Sequence, residues 1–390
     1  MLRLTRLTLT NFRNYEALTW RPATRLAVLT GPNGSGKTNL LEAVSLLVPG
    51  RGLRNARVAE FGRHGAAGPH PWGVAARLLR NGLETEIGTG TPPDGPADRR
   101  VFRLDGAPTR SQVEIAAIAA AVWLTPQMDR LFGEAASGRR RFLDRLVWAL
   151  EPGHAREVAA FDTALASRNR LLATGADPAW LAGVEDSLAR HAVAVAAARA
   201  AFVARLNATL QDGAASRFPV ARLILQDEVA DHLALSPALA VEDWLRDRLA
   251  ATRADGGGVP RADMTLADAA TGLPAGLAST GQQKALLIGV ILGHAALLAS
   301  AAGFAPLLLL DEPAVHLDPD RRQALWDALR QSPAQAILTG TDPEPFAGLE
   351  DAAEFLLTGG GTLRPNPRFS EAGPVFSGPD ALYSADSKPN

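Results

Sequence analysis

The chain has no cysteine in its 390 residues, only two tyrosines and three methionines, and just three lysines, Lys37, Lys284 and Lys388. Without thiols neither a disulfide framework nor a thiolate metal site can form, which fits a reducing compartment. The N-terminal stretch Met1 to Leu7 also lacks the unbroken apolar core of a secretion signal, because Arg3 and Arg6 interrupt it. A cytoplasmic protein is the expectation. A strong net charge is missing as well: 40 Lys+Arg against 41 Asp+Glu leave −1.

That balance hides an uneven distribution. Residues 1–145 hold 21 Lys+Arg against 12 Asp+Glu, whereas residues 146–390 hold 19 against 29. The basic half is a candidate face for a polyanion, or an ordinary solvated surface, since charge sums ignore geometry. Length and a hydrophobic fraction of 47% predict two domains. From Ala285 to Leu310 there is no charged residue, and the stretch is long enough to span a bilayer. Gly303 and Pro306 divide it, so a buried helix followed by a core strand, Leu307 to Leu310, is the better reading.

The chemistry starts at Gly31-Pro32-Asn33-Gly34-Ser35-Gly36-Lys37-Thr38, which matches G-x-x-x-x-G-K-[ST]. With so few lysines, composition alone produces such a match with a probability of roughly 0.003. Glycines let the backbone wrap phosphates, and successive N–H groups at a helix start face them. Lys37 would neutralise the β- and γ-phosphates, and the Thr38 hydroxyl would bind Mg²⁺. The context suits this: the apolar run Leu26 to Leu29 reads as a buried strand, and Leu40, Leu41, Val44 and Leu47 are helically spaced. Far along the chain, Leu307 to Leu310 ends on Asp311-Glu312, a strand delivering one carboxylate to the metal and a second, Glu312, as general base. Ser279-Thr-Gly281-Gln282-Gln283 lies before a helix expected to begin near Ala285, with Ser279 as a helix cap that could also present its hydroxyl to a γ-phosphate.

Coarser patterning completes the outline. Alternation at Leu2, Leu4, Leu7 and Leu9 predicts a strand, and residues 50–112, rich in Gly, Pro and Arg, predict an antiparallel sheet with pieces such as Trp72 to Leu79 and Val101 to Leu104. From about 113 to 212 the pattern is helical and alanine-rich. The predicted fold is α/β, a P-loop ATPase head with a mixed sheet and an antiparallel subdomain, formed by residues 1–112 and 260–365. A helical arm, 113–259, is inserted into it. Asp255 to Pro260 reads as the returning loop, and residues 366–390 as a flexible tail.

In this order, phosphate loop, Ser-Thr-Gly-Gln-Gln turn, Asp-Glu strand and His316-Leu317-Asp318, the motifs resemble the ABC-type ATPase heads of the SMC and RecF group. Within that group the chain is most similar to the RecF family, through Asn11-Phe12-Arg13-Asn14-Tyr15, Asn39 to Ala43, Thr125-Pro126-Gln127, Arg139 to Asp144, Ser167 to Leu172, and Thr339 to Asp342. The resemblance covers the chain to about residue 365. It implies ATP and Mg²⁺ as cofactors, and a homodimer in which the turn of one subunit, Ser279, Gly281 and Gln282, closes over ATP held by the loop of the other. Arg13 would approach the phosphates, with Asn39 beside them, and Gln127 would sense Mg²⁺ and γ-phosphate. Two departures matter. Where many ABC heads carry a switch histidine this chain has Thr341, next to Asp342, and where the RecF pattern favours two aspartates it has Asp311-Glu312. Slow hydrolysis is the expectation.

The implied function is an ATPase of recombinational repair that engages DNA, single strands and gap junctions included, without sequence readout, and works with recombination mediator proteins to place recombinase. Arg51, Arg54, Arg57, Arg63, Arg139, Arg140 and Arg141 are candidate phosphate contacts. The alternative is the energising subunit of a membrane transporter, which shares loop, turn and catalytic strand. The 240-residue separation of loop and turn and the missing histidine argue against it.

Overall fold

The computed structural model describes residues 1–22, 24–65, 68–92, 95–96, 98–175, 177–213, 219–253, 261–358 and 362–365. In chain order it begins with β1 (Leu2–Phe12), β2 (Tyr15–Trp20), β3 (Leu26–Thr30), α1 (Lys37–Ser45), β4 (His64–Gly65), β5 (Gly68–Pro69) and β6 (Gly73–Arg80). Next come β7 (Leu83–Gly90), β8 (Val101–Leu104), β9 (Ala107–Thr109), α2 (Gln112–Ile118) and β10 (Ala121–Leu124). The middle of the chain forms α3 (Ala136–Leu150), α4 (His154–Thr174), α5 (Pro178–Gln211), β11 (Ala221–Gln226), α6 (Glu228–Leu233), α7 (Ala238–Ala251), β12 (Asp263–Asp268) and α8 (Thr280–Ala302). It closes with β13 (Leu307–Leu310), α9 (Pro319–Gln331), β14 (Ala336–Gly340), β15 (Ala353–Thr358) and β16 (Thr362–Pro365). Two compact units result: residues 1–128 with the chain from 298 onward, and residues 129–297.

The first unit contains two six-stranded sheets, ordered β2-β1-β6-β7-β8-β9 and β10-β13-β14-β3-β15-β16. The former is antiparallel throughout. In the latter every pair is parallel except β15 with β16. Strands covered on both faces need continuous apolar runs, and Leu26 to Leu29, Leu307 to Leu310 and Ile337-Leu338 are all buried. β1 shows how sequence sets register. Its buried leucines change phase between Leu4 and Leu7, and the pairing with β6 slips between Leu4 and Arg6, so both halves turn their leucines inward. Fully buried Gln335 serves the backbone at this irregularity: its amide accepts from Leu4 N at 2.6 Å and donates to Leu4 O at 3.2 Å and Thr24 O at 3.1 Å.

The second unit is mainly helical. Leu188, Ala189, Ala192, Val193 and Ala196 of α5 pack with Val229 of α6, Val241, Leu245 and Leu249 of α7, and Ala164 of α4. Alanine on one face of α5 lets its neighbours approach closely, and the 34-residue helix is roughly 50 Å long. A buried ion cluster binds the same helices, Arg168 donating to Glu185 at 3.0 Å while Arg253 reaches the same carboxylate.

Three expectations need adjusting. The helical stretch from 113 is broken by β10, whose four residues pair in register with Leu307 to Leu310. The unit boundaries accordingly fall at 128/129 and 297/298, because β10 joins the sheet of the first unit whereas β12 pairs with β11 of the second. α8 starts at Thr280, five residues before Ala285, since Ser279 and Gln282 cap it reciprocally. The apolar stretch is divided as expected into α8 and β13, with Gly303 in a left-handed conformation between them. α5 and α8 are both long and apolar enough to cross a membrane; 72% of the most apolar window of α8 is buried inside the protein, as a core helix requires. The predicted loop from Asp255 to Pro260 and the tail from 366 lie outside the described residues.

Candidate nucleotide site

The site is built where the parallel strands end. β3 stops at Thr30, the chain turns through Gly31 to Gly36, and α1 begins at Lys37. Gly31, Gly34 and Gly36 have φ of 146°, 79° and 111°. A Cβ on Gly31 would lie 2.2 Å from the Leu357 carbonyl oxygen, so only glycine fits that close approach. The Lys37 ammonium lies across the loop, donating to Gly31 O at 2.7 Å and Pro32 O at 3.0 Å. Burial holds it below the usual lysine range, while the Glu312, Asp311 and Asp342 carboxylates pull it back up.

β13 and β14 bring in the second half. Because β14 lies beside β13, a side chain at its end can reach the residues that follow β13. Thr339 does so: its hydroxyl donates to Asp311 Oδ1 at 2.7 Å and accepts from the Glu312 N–H at 2.9 Å. Thr38 Oγ1 donates to the same Asp311 oxygen at 3.1 Å. Glu312, at φ 52°, holds a left-handed conformation uncommon for a non-glycine residue, the kind of local cost that persists at functional positions.

The residues fit a Mg²⁺-nucleotide. Ser35 Oγ and Thr30 Oγ1 are buried and have no hydrogen-bond partner among the described residues, which suits an oxygen-rich anion. No group of three or more His, Asp or Glu able to hold a metal occurs among the described residues. One carboxylate and one hydroxyl, Asp311 and Thr38, are nevertheless the donor set expected where phosphates and water complete the Mg²⁺ shell.

The remaining predicted residues fall as follows. Gln127 is exposed in a turn of 3₁₀-helix, Pro126–Arg130, that follows β10 at the same end of the sheet. Arg13, itself left-handed at φ 53°, donates through Nε and Nη2 to the fully buried Glu42 at 2.9 and 3.1 Å. Thr341 Oγ1 donates to Asp342 at 2.9 Å, and the Thr341 carbonyl accepts from Gly31 N at 3.3 Å. In the second unit Ser279 is exposed at the start of α8; its N–H donates to the Gln282 side chain at 2.9 Å and its hydroxyl accepts from Gln282 N at 3.4 Å, with Gly281 in the first turn.

The arginines divide by partner. Arg54 donates to Asn39 at 2.7 Å and Glu42 at 3.2 Å, Arg63 pairs with Glu16 at 3.0 Å, and Arg139 grips Asp263 with two donors at 2.8 and 2.7 Å. Arg140 donates to the Ala262 carbonyl at 2.9 Å. Arg51, Arg57 and Arg141 are exposed. Sequence reasoning missed Thr339, Glu42, Asn14 and Tyr15 as parts of the site. All four sit inside segments that carry the family resemblance, but a threonine in an apolar strand and a glutamate within a helix announce no chemistry alone.

Comparisons with known proteins place the chain in a family. A family described as "AAA domain, putative AbiEii toxin, Type IV TA system" matches residues 26–339. The "DNA replication and repair protein RecF" of Mesorhizobium japonicum is 44% identical over 373 residues, covering 93% of this chain and 97% of that protein. Among solved structures, the "recombination mediator protein RecF-ATPrS in RecFOR pathway" superposes with a TM-score of 0.79 at 21% identity, covering 93% of this chain and 98% of the other. An Smc head domain with an extended coiled coil from Pyrococcus furiosus gives 0.52 at 15% identity, covering 94% and 96%. The structural likenesses establish the ABC-type head fold, and the RecF relatives do not favour a transporter subunit. The chain belongs to the RecF family of DNA replication and repair proteins, as an ATP-binding ATPase of that family.

Proposed function

We propose that this protein uses ATP to close two copies of itself onto DNA, without sequence readout, at single-strand gaps and their junctions, and uses slow hydrolysis to let go. The observation that carries the reading is the convergence of Lys37, Thr38, Asp311 and Thr339 at the ends of β3, β13 and β14, with the Ser279 turn exposed at the start of α8. An exposed turn carrying a hydroxyl and helix N–H groups suits capture of a γ-phosphate held by a second copy, so that nucleotide becomes part of the interface. Thr38 and Asp311 would hold Mg²⁺, which would neutralise charge developing on the phosphates. Glu312 is the general-base candidate, Gln127 the sensor of metal and γ-phosphate, and Thr341 with Asp342 takes the place of the switch histidine.

DNA would be held through phosphates. The exposed Arg51, Arg57 and Arg141 suit that role, and Arg63 and Arg140 flank them in sequence, whereas Arg54 and Arg139 are committed to Glu42 and Asp263. Placement of recombinase at gaps, together with recombination mediator proteins in the cytoplasm, follows from the family likeness; the solved relative with TM-score 0.79 is itself described as a recombination mediator protein.

Light scattering tests the dimer. ATP should raise the dimer fraction of the parent protein, and Ser279→Arg should block that rise while ATP affinity stays within about twofold. An unchanged ATP-driven dimer in the variant rules out the Ser279 turn as the closing surface.

A further inference from the structure

The segment Asn11 to Tyr15 has a purpose in the fold that its sequence does not announce. β1 and β2 form a hairpin in which Phe12 pairs with Tyr15, leaving Arg13 and Asn14 as the turn. Asn11 and Arg13 both have positive φ, 46° and 53°, so the hairpin end is held in a costly conformation that aims its side chains. From this end Asn14 and Tyr15 reach the phosphate loop. Tyr15 is 1% exposed, and its hydroxyl donates to the Gly36 carbonyl at 2.9 Å. Asn14 Nδ2 donates to the Ser35 carbonyl at 3.3 Å. Both pack so closely that a Cβ on Gly36 would lie 2.5 Å from Asn14 Nδ2 and 2.7 Å from the Tyr15 hydroxyl.

A trans peptide points its C=O and N–H in opposite directions. Holding the Ser35 carbonyl therefore directs the Gly36 N–H away from the hairpin, and holding the Gly36 carbonyl does the same for the Lys37 N–H. The Gly36 carbonyl also accepts from Leu40 N at 3.0 Å, so it closes the first turn of α1 as well. N–H groups at a helix start have no acceptor inside the helix and are the donors an anion needs.

The hydrogen-bond chain behind Asn14 has a fixed direction. A guanidinium can only donate, so Arg54, bonded to Asn39 Oδ1 at 2.7 Å, turns the Asn39 amide to present its NH₂. That NH₂ donates to Asn14 Oδ1 at 2.7 Å, which leaves Asn14 Nδ2 for the Ser35 carbonyl. Burial pushes the Tyr15 phenol well above its ordinary range, so it stays a donor at working pH.

We infer that Asn14 and Tyr15 are positioning residues that orient the Ser35 and Gly36 peptides, so that the Gly36 and Lys37 N–H groups face the nucleotide phosphates before ATP arrives. This rests on the phosphate-loop reading and adds residues outside the loop to it.

The test is ATP affinity measured by isothermal titration for Tyr15→Phe and Asn14→Asp, beside Lys37→Ala as reference and with thermal midpoints for all. Tyr15→Phe keeps the ring and removes only the donor, and Asn14→Asp keeps the shape but offers an acceptor to the Ser35 carbonyl. Each should raise the Kd for ATP about fivefold to tenfold, the value of a hydrogen bond or two, and raise KM for ATP with kcat within about twofold. If Lys37→Ala loses binding while Tyr15→Phe and Asn14→Asp bind ATP like the parent, the positioning role is overturned and the loop assignment stands. If the two variants lower only the thermal midpoint, their role is structural and the inference fails. If Lys37→Ala binds ATP normally, the loop assignment itself fails.

Discussion

Thr339 Oγ1 and Asp311 Oδ1 are 2.7 Å apart, and through this one bond the central strand β14 sets the carboxylate that follows β13. The hydroxyl can donate only once, so its acceptor side is left for the Glu312 N–H at 2.9 Å. One side chain thus fixes both the carboxylate proposed to face the metal and the backbone of the candidate base.

Thr339→Val should therefore separate hydrolysis from binding. Removing the hydroxyl leaves a buried carboxylate oxygen with one partner fewer and the Glu312 N–H without its acceptor, a loss of about 1–3 kcal/mol in unfolding free energy by urea titration. Steady-state ATP hydrolysis should fall at least about tenfold, because the base is no longer held, while ATP affinity changes by less than about threefold. Equal losses in affinity and turnover would mean that Thr339 supports the loop rather than the catalytic strand.

Glu312→Gln keeps size and hydrogen-bonding reach but cannot take a proton. Turnover should fall about a hundredfold or more, and the ATP-bound dimer should accumulate and elute as such in size-exclusion chromatography with ATP. Unaltered turnover removes Glu312 from the base role.

His294, on α8, gives the second unit an acid sensitivity. It is 2% exposed, packs edge-on against Phe202 at 5.7 Å, and is lowered to about 3 by burial first and the Arg145 charge second. With the folded value below the unfolded one, the unfolded chain binds more protons between about pH 6.5 and 3, so stability falls as pH falls through that window. The loss attributable to this residue at pH 5 is about 2 kcal/mol relative to neutral pH. His294→Leu should flatten the pH dependence by that amount in urea titrations at pH 5 and pH 7.5; an unchanged slope would mean that His294 protonates inside the fold.

The parts legible in sequence were those with local rules. The loop declares itself through glycine spacing around a rare lysine, and the core strand β13 through four leucines before Asp311. The head fold followed from the same motifs. β10 was not legible, because Ala121-Val122-Trp123-Leu124 is a short apolar run in an alanine-rich region, and such a run fits helix or strand until its partner is known. The start of α8 was partly legible: Ser279 and Gln282 have capping-box spacing, but a glycine at 281 reads as turn. Partners remote in the chain left no trace. Arg139 looks like a candidate DNA contact until Asp263, 124 residues away, is seen to occupy two of its donors. Asn14 and Tyr15 likewise acquire a role only when the hairpin and the phosphate loop, 21 residues apart, are seen in contact.

The most direct measurement is DNA affinity by fluorescence anisotropy, with and without Mg²⁺-ATP, on gap-junction, duplex and single-stranded substrates at several salt concentrations. An ATP clasp that closes on phosphates should bind at least about tenfold tighter with ATP, should lose affinity steeply as salt rises, and should lose the ATP effect in Lys37→Ala. Equal affinity with and without ATP on every substrate would contradict it.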